Sequence, residues 1–233
     1  MVSTVSVIIP CYNEEERILP LVSALKASKI KKEIIVVNDG SNEKTKNILQ
    51  KIKGIKLLNH PQNFGKSQTI KTGLLNSSSE IVVFIDADLK GFKPHHLKQM
   101  IAPLTNQDFD MVVANLEIFS PIFKLSGYSC AYSGQRAFHR SLLIENLDIF
   151  DNQGYFGGFL LEAKMNQRFL KTKKITKVCL EGVGQSYKIS KFGLKYFFKD
   201  IKIMAKIGHF LGPKEHLYQI NFFRRLQPYC FVS

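Results

Sequence analysis

Long apolar runs are missing from this sequence. The longest, Ile81 to Ile85, is strand-sized and falls far short of the ~20 residues a membrane-spanning helix needs. No basic region precedes the N-terminal apolar stretch, which ends at Glu14-Glu15-Glu16, so a secretory leader is not expected. The four cysteines (Cys11, Cys130, Cys179, Cys230) form no Cys-x-x-Cys pair. That argues against a zinc ribbon or a disulfide framework and points to reduced thiols in a cytosol. Neither a Walker A loop nor a Gly-x-Gly-x-x-Gly fingerprint is present, and Gly157-Gly158 is only a turn signal. An ATPase or a dinucleotide oxidoreductase is therefore poorly supported. Internal repeats and low-complexity linkers are absent as well.

Acidic residues are scarce in the last third. Residues 163–233 hold 15 Lys/Arg against three acids, whereas the preceding 162 residues hold 18 against 16. A near-neutral body thus carries a strongly basic C-terminal segment, and the whole chain of 233 residues has a formal net charge of +14. Such asymmetry suggests a polyanionic partner, either nucleic acid or an anionic membrane surface, though lysines on a solvated face give the same count. Hydrophobic content of 45% and charged content of 22% are those of a globular chain with a full core.

The first half alternates between strand and helix patterns. Val5–Ile9, Glu33–Asn38, Ile55–Leu58, Glu80–Ile85 and Met111–Ala114 read as strands. Residues from about Glu14 to Ala27, Glu43 to Ile52, Lys66 to Leu75 and Pro94 to Leu104 read as helices. Near-continuous Val/Ile runs imply a sheet covered on both faces, which predicts a doubly wound α/β domain.

Polar clusters stand at the carboxyl ends of three of these strands: Pro10-Cys-Tyr-Asn-Glu14, Asn38-Asp-Gly-Ser41 and Asp86-Ala-Asp88. Singly each reads as a turn; jointly they mark the edge where open parallel sheets bind ligands. In extended geometry Asp86 and Asp88 lie on the same side of the chain. Two carboxylates so close call for a cation, and oxygen donors suit Mg²⁺ or Mn²⁺, which complete their shells with water and phosphate. A diphosphate-containing substrate is the expectation. His95-His96 and His139 lack ligand spacing to any cysteine and read as solvated or capping residues.

Four stretches, in order and spacing, resemble a family 2 glycosyltransferase: Val5–Glu14, Asn38–Ser41, Asn63-Phe-Gly-Lys66 leading to Lys71-Thr-Gly73, and Asp86–Leu89. Ser133-Gly-Gln-Arg-Ala-Phe-His-Arg140 resembles the acceptor-loop stretch of the dolichyl/polyprenyl-phosphate sugar synthase branch. Gly154 to Glu162 and Gln185 to Gly193 are similar to that branch more loosely. The resemblance implies a GT-A fold, with a mostly parallel sheet flanked by helices, and inversion at the anomeric carbon. It implies donor contacts from Pro10, Tyr12, Asn13, Glu14, Asp39, Lys66, Lys71, Asp86 and Asp88, with Asp86 and Asp88 as metal ligands and Asp88 the more direct one.

The acceptor is open between two chemistries. A lipid phosphate is already an anion and needs cations, for which Arg136, Arg140, Lys188 and Lys191 are the candidates. A hydroxyl acceptor needs a carboxylate base, and Glu162, with Asp151 as a weaker choice, stands where relatives often carry one. Residues 194–211 read as a basic amphipathic helix, followed by an aromatic-basic cluster at Tyr218, Phe222, Phe223, Arg224 and Arg225. The sequence thus predicts a catalytic domain over 1–192 and a C-terminal basic amphipathic helical appendage over 193–233. The expected activity is metal-dependent transfer, with Asp88, Glu162 and Arg136 as catalytic candidates. It moves a hexose from a UDP- or GDP-sugar to a polyprenyl phosphate or related membrane acceptor, by a cytoplasmic protein held peripherally on the membrane. A glycan or glycolipid hydroxyl acceptor is the alternative, and an inactive membrane- or nucleic-acid-binding relative is the reading from another class. A nucleotidyltransferase would show a Gly-rich triphosphate loop after the first strand. Nucleic acid is not expected as a partner, and monomer and homo-oligomer both stay open.

Overall fold

The strand-forming runs alternate between two cores. In the computed structural model, which describes residues 4–106, 108–118, 128–151, 159–185 and 205–229, Val5, Val7, Ile9 and Cys11 of β1 (Val5–Cys11) enter one core while Ile8 enters the other. Strand β2 (Lys32–Asp39) does the same, with Ile34 and Val36 on one face and Ile35 and Val37 on the other. This period of two, apolar on both sides, makes the runs continuous and buries the sheet between two helical layers. The first layer holds α1 (Ile18–Ala27), α2 (Glu43–Lys51) and α4 (Pro94–Asn106). The second holds α3 (Lys66–Leu75), α5 (Tyr128–Ala131), α6 (Arg140–Ile144), α7 (Phe159–Phe169) and α8 (Pro213–Arg225).

The sheet has eight strands in the order β3-β2-β1-β4-β7-β6-β8-β5. The others are β3 (Lys56–His60), β4 (Ile81–Phe84), β5 (Leu89–Lys90), β6 (Met111–Ile118), β7 (Arg136–His139) and β8 (Ile175–Gln185). Strands β3, β2, β1 and β4 are mutually parallel, as their patterns predict, and β6 and β8 are parallel. Strand β7 departs from the pattern by running antiparallel between β4 and β6, and β5 runs antiparallel to β8. Phe84 lies opposite Arg136 and Ile81 opposite His139, so the amino end of β7 meets the carboxyl end of β4.

The predicted first helix is divided. Asn13 and Glu15 adopt positive φ (55° and 43°), a 3₁₀ turn spans Glu15–Arg17, and α1 starts at Ile18 with Pro20 tolerated in its first turn. Asn42 caps α2 by accepting from the Thr45 N–H.

At the start of α4, His96 is 1% exposed and its Nδ1 accepts from the Lys93 N–H at 3.0 Å, so it does cap, as expected. Burial first, then the neighbouring His95 and Lys93, push its pKa down to about 4. The unfolded chain therefore binds a proton that the folded one refuses between pH ~6.5 and about 4, and stability falls as pH drops through that window. His96→Gln is expected to flatten this acid slope, read from melting temperatures between pH 7 and pH 5.

The C-terminal segment is described over residues 205–229. Residues 186–204, with most of the predicted 194–211 helix, lie outside the described residues. Helix α8 packs on α5 and α7, however, with Phe223 and Gln219 at 0% exposure. It belongs to the second core. Tyr218 faces outward as expected, but Phe223 is buried and Phe222 half-buried. The helical period points 222 and 223 inward while 217, 218, 221, 224 and 225 face out.

Candidate active site

Four parallel strands end side by side, and their carboxyl ends place the polar clusters together. The register puts Cys11 beside Asn38, Asn38 beside Asn59 and Asp39 beside His60. Tight hydrogen bonds shape the floor. The Asn13 N–H donates to Ser41 Oγ at 3.0 Å, and the Asn42 N–H donates to Asn13 Oδ1 at 2.8 Å. Glu14 pairs with Arg17 at 3.0 Å, while Pro10 lies within β1 and Tyr12 stands 48% exposed at the rim.

Asp39 is turned into the protein. Its Oδ1 accepts from the Phe64 N–H and its Oδ2 from the Gly65 N–H, both at 2.9 Å, and His60 Nδ1 lies 2.8 Å from Oδ1. His60 Nε2 in turn reaches Thr72 Oγ1 at 2.9 Å. These bonds tie the Asp39 carboxylate to the 60–65 loop and the start of α3. Gly40 makes this closure possible: at φ +66° its Cα lies against the backbone of Gln62 and Asn63, where a Cβ has no room. The loop carries Phe64, 48% exposed, to the same rim as Tyr12. His60 was not legible in the sequence; only its register opposite Asp39 gives it meaning.

The centre of the edge is an ionic cluster. Lys66, the first residue of α3, places Nζ 2.7 Å from Asp86 Oδ1 and 3.0 Å from Glu162 Oε1. Glu162, on the first turn of α7, is 3% exposed, and its second oxygen Oε2 is buried without a hydrogen-bond partner. Asp86 Oδ2 accepts from Gln135 Nε2 at 2.8 Å. Gln135 is a second residue the sequence reading missed, delivered here because β7 enters from this edge. Burial opposes the Lys66 charge, yet Asp86 and then Glu162 hold its pKa above the ordinary lysine value. Burial, and after it the neighbouring Asp86, raises the pKa of Asp88.

Gly134 keeps the cluster together. A Cβ there would lie 2.8 Å from Asp86 Oδ2 and against Lys66 Nζ. Gly134→Ala is expected to displace both ions, lowering stability by about 1–3 kcal/mol and weakening nucleotide binding, as read by melting and by titration calorimetry.

Other expected contacts lie elsewhere. Arg136 is 1% exposed and each guanidinium nitrogen donates to protein: Nε to Ser133 O (2.9 Å), Nη1 to Asn166 Oδ1 (2.8 Å) and Nη2 to Ala131 O (2.8 Å). Burial lowers its pKa to about 10. In this structure its printed partners are all protein groups around the second core. Arg140 emerges at the opposite edge of the sheet, where its N–H donates to Glu80 O (2.7 Å) and its Nε to Ser77 Oγ (3.0 Å). The antiparallel course of β7 carries it away from Asp86. Lys71 pairs with Asp151 at 2.6 Å, and Lys188 and Lys191 lie outside the described residues.

Among the described residues no group of three or more His, Cys, Asp or Glu side chains converges as a metal site. The donor set nevertheless fits a hard dication. Asp88 is a half-buried oxygen donor whose charge Asp86 disfavours, a repulsion that a bound cation relieves. Asp86 engages Lys66 with one oxygen and Gln135 with the other, and Asp88 lies close enough to feel its charge.

The profile of Glycosyl transferase family 2 matches residues 6–163. A dolichyl-phosphate beta-glucosyltransferase of Trichomonas vaginalis is 37% identical over 94 residues, covering 35% of this chain and 28% of that protein. An undecaprenyl-phosphate 4-deoxy-4-formamido-L-arabinose transferase of Pectobacterium atrosepticum is 32% identical over 120 residues, covering 48% of this chain and 36% of that one. The matched stretch is about a third of the length of these curated relatives. Glucosyl-3-phosphoglycerate synthase of Mycobacterium tuberculosis, solved with Mn²⁺, UDP and phosphoglyceric acid, shares the fold. Its TM-score is 0.65 at 20% identity, covering 88% of this chain and 79% of that one. By its fold and by the match over residues 6–163, the chain belongs to glycosyl transferase family 2.

Proposed function

We propose that this protein is a metal-dependent inverting glycosyltransferase that moves a hexose from a UDP- or GDP-sugar to a polyprenyl phosphate or a related membrane acceptor. The observation that carries the reading is Asp88 beside the Lys66–Asp86–Glu162 cluster, at the carboxyl edge of β1, β2 and β4. Tyr12 and Phe64 present exposed rings at the rim for the nucleoside base. Asp88 would hold Mg²⁺ or Mn²⁺, which when bound supplies positive charge to stabilise the departing diphosphate. Lys66 fixes Asp86 next to that position and keeps Glu162 ion-paired on the other side.

A lipid-phosphate acceptor agrees with this arrangement, because an ionised phosphate asks no base of Glu162. With Arg136 and Arg140 committed elsewhere, the acceptor phosphate is assigned to the segment bearing Lys188 and Lys191. The outward face of α8 supports a membrane acceptor. Lys214, Leu217, Tyr218, Asn221, Arg224 and Arg225 are exposed along it, while Glu215 turns inward to Lys171 and Gln219. Cations flanking exposed Leu217 and Tyr218 suit an anionic leaflet on the cytoplasmic side. Among the described residues no helix is long and apolar enough to cross a membrane. The unpartnered Oε2 of Glu162 favours a second reading, in which it takes the proton of a hydroxyl acceptor.

The test is transfer from radiolabelled UDP-glucose and GDP-mannose with Mn²⁺, offering undecaprenyl phosphate, dolichyl phosphate or a glycolipid hydroxyl. Label joined to a polyprenyl phosphate is the expected result. Label on the hydroxyl acceptor alone selects the second reading, and transfer to none contradicts both.

A further inference from the structure

The ionic cluster is one end of a longer buried polar circuit, and the other end is the C-terminal helix. Gln219 of α8 is 0% exposed. Its Nε2 donates to Ala163 O and to Glu215 Oε1, both at 3.2 Å, and its Oε1 accepts from Asn166 Nδ2 at 3.2 Å. Asn166, also 0% exposed, donates from Nδ2 to Ala131 O at 2.7 Å and accepts from Arg136 Nη1 at 2.8 Å. Arg136 Nε reaches Ser133 O, and Ser133 Oγ, which donates its proton to Ala114 O at 2.6 Å, accepts from the Gln135 N–H at 3.4 Å. Gln135 then donates to Asp86, Asp86 pairs with Lys66, and Lys66 pairs with Glu162, whose chain neighbour Ala163 accepts from Gln219. The circuit closes on itself.

Polar groups in such a place are costly unless hydrogen-bonded, and Gln219, Asn166, Arg136 and Gln135 are each bonded to protein. Packing alone does not call for them, since apolar side chains of similar size fill the surrounding core. What the circuit does is join α8, α7 and β7 at fixed hydrogen-bond lengths and deliver the two carboxylates on either side of Lys66.

We propose that Gln219 is a positioning residue of the catalytic centre, through which helix α8, by way of Asn166, Arg136 and Gln135, fixes Asp86 and Glu162 about Lys66. The inference rests on the proposed transferase reading for its kinetic consequence but not for its structural one. Removing the Gln219 amide leaves Asn166 and the Ala163 carbonyl each short of a buried partner. The first turn of α7, and with it Glu162, then loses its fixed position. A displacement of about 1 Å at such a distance lowers turnover by up to about 10²-fold.

The experiment compares Gln219→Met with Phe223→Leu, a change at a fully buried residue of the same helix that lies outside the circuit. Conditions are chosen at which the two variants have lost the same fraction of thermal stability. Gln219→Met is expected to lower kcat about 10- to 100-fold. It is also expected to speed amide hydrogen exchange at residues 86–88 and 134–136, whereas Phe223→Leu does neither. Equal kcat and equal exchange in the two variants would overturn the proposal. Absence of transfer by the unsubstituted enzyme would instead overturn the proposed function, and the exchange comparison would still decide the circuit.

Discussion

Lys66→Met is expected to destabilise the protein by about 3–5 kcal/mol, the cost of removing one partner from a buried ion pair and leaving the others uncompensated. The Lys66 side chain is 22% exposed and faces Asp86 and Glu162, which are 16% and 3% exposed, so water does little to relieve the two stranded carboxylates. The hydrogen bond from Gln135 Nε2 to Asp86 is neutral and does not balance its charge. Both carboxylates are then driven toward their protonated forms, so the deficit is expected to grow as pH rises. Denaturant unfolding at pH 6 and pH 8 measures it. A loss below about 1 kcal/mol, typical of exposed pairs, would show that the cluster is solvated rather than structural. Turnover is expected to vanish with the variant, because Asp86 no longer has a fixed place beside Asp88.

Asp88→Asn is expected to do the reverse, abolishing activity while sparing the fold. Loss of the ligating carboxylate removes charge stabilisation from the leaving diphosphate, an effect of about 10²–10³-fold or more in turnover. Stability runs the other way. Burial and Asp86 raise the Asp88 pKa, so between the ordinary aspartate value and the raised one the folded state holds a proton that the unfolded state releases. Its contribution to stability therefore declines as pH rises through that window. The asparagine lacks that decline, and its melting temperature at neutral pH, without metal, is expected to equal or exceed that of the unsubstituted protein. A variant that keeps near-normal transfer would remove Asp88 from the metal site.

The parallel half of the sheet was legible because both faces of β1, β2 and β4 are apolar, which writes the strands as unbroken Val/Ile runs. Asp86, Asp88, Lys66 and Glu162 were legible singly as residues at strand ends and helix starts. Their meeting was not, since Lys66 and Glu162 are separated by 96 positions. Strand β7 is four residues long, Arg-Ala-Phe-His, and reads as part of a loop. Its direction decides three things at once: Gln135 reaches Asp86, Arg136 is buried, and Arg140 is carried away from Asp86. Strand β8 is obscured by Gly182 and Gly184. Arginines in a phosphate-binding class of chain invite a ligand role, and only burial reveals that Arg136 already has its acceptors. Exposure likewise separates Tyr218, on the surface, from Phe223 in the core.

The most direct measurement of the central claim is a calorimetric titration of the full chain with UDP and with GDP, each with Mn²⁺ and again with excess EDTA. One nucleoside diphosphate is expected to bind with Mn²⁺ and to lose most of its affinity with EDTA, and Asp88→Asn is expected to bind weakly in both. Equal binding with and without metal, or no binding of either nucleotide, would contradict a metal-dependent donor site at the carboxyl edge of this sheet.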